Sequence, residues 1–367
     1  MGKLRIGVAG LGRGRMFVER FNELPECEVV AVCDESQKAL ADFDHIAAHT
    51  SYDDFVAEGL DVVAVITPGP VHAQQAVKAM ESGAHVLCET PCIYSVGEAR
   101  SIIATVGKTG KKYMLAEDYI WMGWAIKFEE MAKAGRFGQI VYAEGDYTHD
   151  CRDFMLMTEN GYIPYAEREK YPDAKKSWRV TDLPPIFYTS HTLGPLLHFM
   201  EDRIVSAIGL SSGTHTAPDL GTIDLEVGLF ETEKGAIIRL TNGFTVAHPC
   251  GFLYNLVGTE GSAKLQTAGE VAIGAVQSAG GAAMLWYSEK AKHKMDDWEK
   301  LSLEWGTRPD GKDHVSVMIR DFVDSITNDM PPPIDEYESM DFVLPGIMAH
   351  ESAQKGGVKL EVPNLRR

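Results

Sequence analysis

The feature that most narrows what this chain can fold into is its first apolar run, which ends in three closely spaced glycines: Leu4-Arg-Ile-Gly-Val-Ala-Gly-Leu-Gly-Arg-Gly-Arg15. Ile6, Val8 and Ala9 are small or β-branched, as a buried strand of a parallel sheet requires. Gly10, Gly12 and Gly14 permit a tight turn and close approach of backbone to a pyrophosphate, and Phe17, Val18, Phe21 and Leu24 then recur at helical spacing. The N–H groups of the turn would stand at a helix N-terminus, where aligned peptide dipoles favour an anion. A G-x-G-x-x-G pattern would put its third glycine at position 15; that residue is Arg15, and the glycine stands at 14.

The next apolar run, Val29-Val-Ala-Val-Cys-Asp34, ends in a carboxylate about 20 residues beyond the turn, where an acid accepts a hydrogen bond from a ribose 2′-hydroxyl. An acid there repels a 2′-phosphate, which predicts NAD rather than NADP, with Arg13 and Arg15 as the cations that could reach a phosphate. The other reading is a plain strand-to-helix turn, with Asp34 capping the next helix.

The chain has 367 residues, enough for two domains with ample core. A net charge of −18 argues against a nucleic-acid partner. No apolar run approaches the ~20 residues of a membrane span, and no signal-type segment precedes the first strand, so the expected location is cytoplasmic. The six cysteines, at 27, 33, 88, 92, 151 and 250, are too scattered for a disulfide framework. Cys88 and Cys92 lack a second close pair and read as apolar fillers rather than metal ligands, so no metal is expected.

The alternation continues through Val62-Val-Ala-Val-Ile66 with Thr67 and Pro68, a helix carrying His72, Ala73 and Ala76, the strand His85-Val-Leu-Cys88 with Glu89, Thr90 and Pro91, a helix opened by Ser95-x-x-Glu98, and Tyr113-Met-Leu-Ala116 with Glu117. This predicts an α/β fold, a doubly wound parallel sheet over 1–121 whose ligands gather at the strands' C-terminal ends, where Thr67, Glu89 and Glu117 emerge. From 122 to 367 the pattern changes to a second α/β domain with a large open, mostly antiparallel sheet. Ile140 to Asp150 alternates, a long irregular loop fills 151–187, and Ile204–Leu210, Thr222–Phe230, Ala236–Leu240 and Leu253–Gly258 read as a meander. The two C-terminal helices are expected to pack back on the first domain. A broad sheet with one bare face predicts a homo-oligomer, a dimer or tetramer.

Tyr147 and His149 stand two apart on a strand, and Tyr188 and His191 three apart where a helix begins, so each pair shares a face. Either residue type can exchange a hydroxyl proton during hydride transfer. Asp150 either orients His149 or caps a turn.

With these residues in view, the chain resembles the Gfo/Idh/MocA oxidoreductases in Gly7-Val-Ala-Gly-Leu-Gly12, Ile66-Thr-Pro68 with His72, Val86-Leu-Cys-Glu-Thr-Pro91, Gly135-Arg-Phe-Gly138, Gly258-Thr-Glu-Gly261 and Pro-Pro-Ile-Asp335. The resemblance implies a Rossmann domain, an open-sheet domain and NAD(P) chemistry on sugars or polyols. Sugar dehydrogenases of that family carry Glu-Lys-Pro where this chain has Glu89-Thr90-Pro91. Threonine does not replace an ammonium in proton transfer, which argues against simple dehydrogenase chemistry.

Ala116-Glu-Asp118, Gly145-Asp-Tyr-Thr-His-Asp-Cys-Arg152, Ser177-Trp-Arg179 and Tyr188-Thr-Ser-His-Thr-Leu-Gly-Pro195 are similar to the NAD-dependent glycosidases of glycoside hydrolase family 109. That likeness implies active-site positions at Glu117, Tyr147, His149, Tyr188 and His191. It also implies a redox-neutral route: oxidation at C3 of a sugar, elimination of the anomeric group, water addition and re-reduction. Such a route needs no flanking carboxylate pair. The alternatives are an NAD-dependent sugar or cyclitol dehydrogenase with net hydride transfer, and a catalytically silent sugar-binding protein. Arg152, Arg168, Lys175, Lys176 and Arg179 suggest either an anionic substrate or simply a solvated charged loop.

Overall fold

The first strand of the computed structural model, β1 (Leu4–Ala9), lies at the centre of a parallel sheet because nothing larger than valine or isoleucine follows its second residue, and from Ile6 on every residue is buried. The structure describes residues 2–159, 161–246, 251–267, 281–288, 299–304 and 308–366. β2 (Cys27–Cys33), β3 (Ala47–His49), β4 (Val62–Val65), β5 (His85–Cys88) and β6 (Tyr113–Leu115) join β1 in the order β3-β2-β1-β4-β5-β6, all pairs parallel. This is the doubly wound arrangement, with its reversal of strand order between β1 and β4. The helix Leu11–Asn22 turns Phe17, Val18 and Phe21 onto the sheet, and burial of each phenylalanine contributes about 2–3 kcal/mol.

The described chain divides into two units, the first comprising Met1–Asp118, Val315–Met340 and Leu365–Arg367, the second Tyr119–His314 and Asp341–Asn364.

The second unit is organised on β7 (Ile140–Thr148). A small sheet of β8 (Leu156–Thr158), β9 (Gly161–Tyr162) and β10 (Lys175–Lys176) occupies part of the loop read as irregular. The large sheet adds β11 (Ile204–Ser211), β12 (Leu225–Thr232), β13 (Ile237–Gly243), β14 (Gly251–Gly258), β15 (Gly261–Thr267), β16 (Gly281–Ser288), β17 (Glu299–Glu304) and β18 (Leu360–Glu361). Its nine strands run β17-β16-β15-β14-β7-β13-β12-β11-β18. The expected simple meander is corrected here. β7 inserts between β13 and β14, parallel to the former and antiparallel to the latter, because pairing there satisfies both of its edges.

One face of this sheet carries the helices Gly123–Lys133 and Ser190–Met200. Trp124 stacks on Tyr254 at 4.2 Å and meets Phe128 and Phe199 edge-on. The other face holds Arg239 between Glu144 (2.9 Å) and Asp146 (3.1 Å), with Leu229 and Ile237 exposed. Among the described residues no helix is long and apolar enough to cross a membrane. Cys27, Cys33, Cys88, Cys92 and Cys151 are free thiols; Cys250 lies outside the described residues.

Candidate active site

In the first unit the site is made mostly of backbone. Gly10 has φ +87°, and a Cβ there would lie 2.5 Å from the Ile66 carbonyl oxygen, so the turn leaving β1 presses on the chain leaving β4. Glycine alone accommodates both. At Gly12 a Cβ would meet nothing within 4 Å, which leaves open space before the first helical turn, while at Gly14 it would touch Val8 at 3.0 Å. The first N–H groups of a helix have no partner inside it. That of Leu11 goes to Asp34 Oδ2 at 2.7 Å, and Asp34 Oδ1 accepts the Ser36 N–H at 2.8 Å. Asp34 therefore fixes the glycine turn, and its carboxylate oxygens retain capacity for a ribose hydroxyl. Open space at a glycine-lined helix N-terminus with an acid at the end of β2 fits NAD.

Arg13 reaches across to the ends of β5 and β6, with Nε 3.1 Å from Glu89 and Nη2 3.3 Å from Asp118. Arg15 meets Asp42 at 2.8 Å and the Ala39 carbonyl at 2.7 Å and lies over the Phe43 ring. Both cations that could reach a phosphate thus have carboxylate partners.

Thr67 Oγ1 donates to Gln75 at 2.6 Å, and Pro68 continues the turn. His72 is 1% exposed, with Nδ1 2.9 Å from the Pro91 carbonyl and Nε2 2.6 Å from the Thr67 carbonyl. Burial lowers its pKa against the pull of those carbonyls, so the neutral ring donates to one of them at a time. His72 ties the Thr67 turn to the Pro91 turn from behind, and both ring nitrogens are spent on backbone. Glu89 and Glu117 are buried, and the Thr90 hydroxyl, on a residue 2% exposed, has no hydrogen-bond partner among the described residues.

In the second unit the site is made of side chains. The Tyr147 ring lies 4.2 Å from His149, 5.5 Å from Tyr188 and 5.4 Å from His191, and Tyr188 meets His191 at 4.9 Å. The two expected Tyr/His pairs come together. Tyr119 stacks on His191 at 4.4 Å, Phe252 meets Tyr147 and His149 edge-on, and Phe244 does the same for Tyr147 and Tyr188. The Tyr254 hydroxyl donates to the His191 carbonyl. Burial, then the charge of His191, pulls the His149 pKa down to about 3, so its ring is neutral at neutral pH. Two phenols and two imidazoles in mutual contact can take and return protons.

Residues 4–117 match the family model described as "Oxidoreductase family, NAD-binding Rossmann fold" of Gfo/Idh/MocA. These residues are similar to the NAD-binding domain of that family. Over 291 positions the chain is 28% identical to a glycosyl hydrolase family 109 protein of Porphyromonas gingivalis, covering 71% of this chain and 59% of that relative. The match thus spans less than two thirds of that relative's length. An oxidoreductase domain protein from Kribbella flavida superposes with a TM-score of 0.77 over 99% of this chain and 100% of its own, at 18% identity. The aldose-aldose oxidoreductase of Caulobacter crescentus does so with 0.75 over 98% and 99%, at 17%.

In the second unit some expectations change. Asp150 does not orient His149: its carboxylate takes Arg152 Nε at 2.8 Å and Nη2 at 2.5 Å, because β7 ends at Thr148 and the chain turns away. The loop cations are largely spent on protein acceptors, Arg168 on Asp219 (3.1 Å) and Lys176 on the Leu220 carbonyl (2.6 Å), as a charged loop fastening itself would be. Arg179 lies over the Trp178 ring and donates to the Tyr162 hydroxyl at 3.1 Å. Sequence reasoning missed Tyr119, Phe244, Phe252 and Asp118. Tyr119 directly follows Glu117-Asp118 and could have been found there; Phe244 and Phe252 have no local signal.

Proposed function

We propose that this chain is an NAD-dependent enzyme that hydrolyses a glycoside through transient oxidation at C3 of the sugar. The observation that carries the reading is the contact cluster of Tyr147, His149, Tyr188 and His191 in a chain whose Glu89-Thr90-Pro91 turn offers no lysine. The glycosyl hydrolase family 109 name of the Porphyromonas gingivalis relative supports it. Bound NAD would supply hydride acceptance and return. Gly10, Gly12, Gly14 and Asp34 would hold it, with Thr67, Pro68, Glu89 and Thr90 along the same sheet edge and His72 behind.

His191 and Tyr188 act on the C3 hydroxyl proton and the C2 proton, the second made acidic by the C3 ketone. Loss of the C2 proton expels the anomeric substituent across C1–C2, with Tyr147 and neutral His149 orienting sugar and leaving group. Water adds at C1, C2 regains its proton, and the C3 oxygen regains the proton it gave up. The sum is hydrolysis without net oxidation. Glu117, a buried acid just beyond β6, is a further candidate acid of the first unit. Exposed Leu229 and Ile237 beside the Arg239 ion network support a homo-oligomer formed through that sheet face.

The test is to mix the protein with α- and β-aryl glycosides and record aryl release and NADH absorbance together. Release over many turnovers without accumulating NADH is expected. NADH accumulation from free sugars, with every aryl bond intact, would replace this reading with a dehydrogenase.

A further inference from the structure

Alternation along β13 calls for an apolar residue at position 242. Ile238 and Leu240, which precede it on the same face, are fully buried, and Asn242 is enclosed as completely. Asparagine is a poor strand former. Its amide donates to the Tyr188 carbonyl at 3.3 Å. A carbonyl only accepts, so the amide nitrogen must face Tyr188 and Oδ1 is turned away from it. That oxygen is buried and has no hydrogen-bond partner among the described residues. An enclosed, unpartnered amide oxygen costs free energy that an apolar side chain of similar size would avoid, so stability does not explain the asparagine.

Its place in the sheet does. Asn242 lies opposite Tyr147 in the parallel pairing of β13 with β7, and the row continues to Phe252 on β14 and to Glu226 on β12. Residues of such a row share a face. The turn Pro185–Tyr188, which presents Tyr188 and leads to His191, meets this row at two points. Glu226 Oε2 accepts the Ile186 N–H at 3.2 Å, and Asn242 holds the Tyr188 carbonyl at the turn's other end. The next residue of β13 serves the other pair, since the Gly243 carbonyl accepts the His149 N–H at 2.9 Å. The end of β13 thus grips both pairs, one by a side chain and one by backbone.

We propose that Asn242 is the positioning residue that joins the two Tyr/His pairs: its amide fixes the Tyr188 carbonyl against the strand row that carries Tyr147, and so sets the 5.5 Å separation of the two rings. Without the amide the turn keeps its hold at Ile186 and loses this one at Tyr188, whose ring then shifts against Tyr147. Asn242 acts through Tyr188 and touches no reacting atom. The placement concerns the protein alone; its catalytic consequence rests on the proposed role of Tyr188.

The experiment places 3-fluorotyrosine at position 188 of the full chain or, as a reference, at the exposed position 171, and compares the fluorine resonances of the wild type and Asn242→Leu. Urea unfolding is followed for both proteins. The variant loses one long hydrogen bond and one unpartnered oxygen, so its urea midpoint should be no lower than that of the wild type. The resonance at 188 should move or broaden, and that at 171 should stay in place. On a cleaved aryl glycoside, Asn242→Leu should lower kcat about ten-fold with KM within two-fold, as a misplaced reacting group does. Should Asn242→Leu not fold, Asn242→Ser, whose hydroxyl is too short to reach the Tyr188 carbonyl, carries the same test on the resonance and on kcat. An unchanged resonance at 188 in a folded variant would overturn the proposal. So would a lowered midpoint of Asn242→Leu with kcat unchanged, the mark of a merely structural residue. If no glycoside is cleaved yet the resonance at 188 alone moves, the functional reading fails and the positioning role stands.

Discussion

The cofactor edge of the first unit and the aromatic cluster of the second are built in opposite ways. The first works through absent atoms: Gly10 lets two turns touch, Gly12 leaves space, and the polar side chains nearby, Asp34 and His72, are bonded to backbone. The second works through atoms present, rings that segments from Tyr119 to Phe252 bring into contact. A backbone site is broken by adding a methyl group and a side-chain site by removing a ring. The two should therefore fail under different substitutions and in different assays.

The largest expected effect is at the cluster. His191→Ala should cut turnover about 10³-fold, equivalent to about 4 kcal/mol of transition-state stabilisation, while leaving NAD affinity within two-fold. A parallel loss of NAD binding in an equilibrium titration would erase the distinction between the two regions. Gly10→Ala should reverse the pattern. The strained φ and the 2.5 Å contact with Ile66 predict a loss of about 3 kcal/mol from the first unit in urea unfolding, with NAD binding lost alongside.

The next effect depends on pH and belongs to the cluster. Below pH 6.5 the unfolded chain takes a proton that folded His149 refuses until about pH 3, because burial and His191 disfavour its charge. Stability of the second unit is thus full above pH 6.5 and falls as pH drops through that window, by about 1.4 kcal/mol per pH unit for this group. Unfolding free energies from urea at pH 7 and pH 5 should differ by about 2 kcal/mol from this source, and His149→Gln should remove that share. A smaller change is expected at the cofactor edge: Asp34→Asn should weaken NAD about ten-fold, about 1.4 kcal/mol, and narrow its preference over NADP, measured by titrating both nucleotides.

The same contrast explains what could be read from the chain beforehand. The glycine turn, Asp34 and the strands around them are legible because each acts within a short stretch, and the doubly wound order follows from alternation. The pairs Tyr147/His149 and Tyr188/His191 are legible as pairs, since two- and three-residue spacing fixes a shared face. That the pairs meet each other is not, because it needs β7 to pair with β13 and β14 at the centre of the large sheet. Asp150 could be read two ways for a related reason: β7 stops at Thr148, alternation cannot mark where pairing ends, and of the two readings the structure has the turn cap, Asp150 Oδ1 accepting the Arg152 N–H at 3.2 Å.

Thr90 gives the smallest effect and the sharpest sign. Its buried hydroxyl has no partner among the described residues, a state that costs free energy unless a ligand completes it. Thr90→Val keeps shape and removes the hydroxyl. If the group is merely a filler, the variant should be more stable by up to about 1 kcal/mol in urea unfolding and should bind NAD as before. If NAD supplies the missing partner, the same gain in stability without nucleotide should be accompanied by several-fold weaker NAD binding. The two measurements then move in opposite directions, which a filler cannot produce. That opposition would place Thr90 with the glycine turn as part of the cofactor edge, and equal NAD affinity in both proteins would remove it.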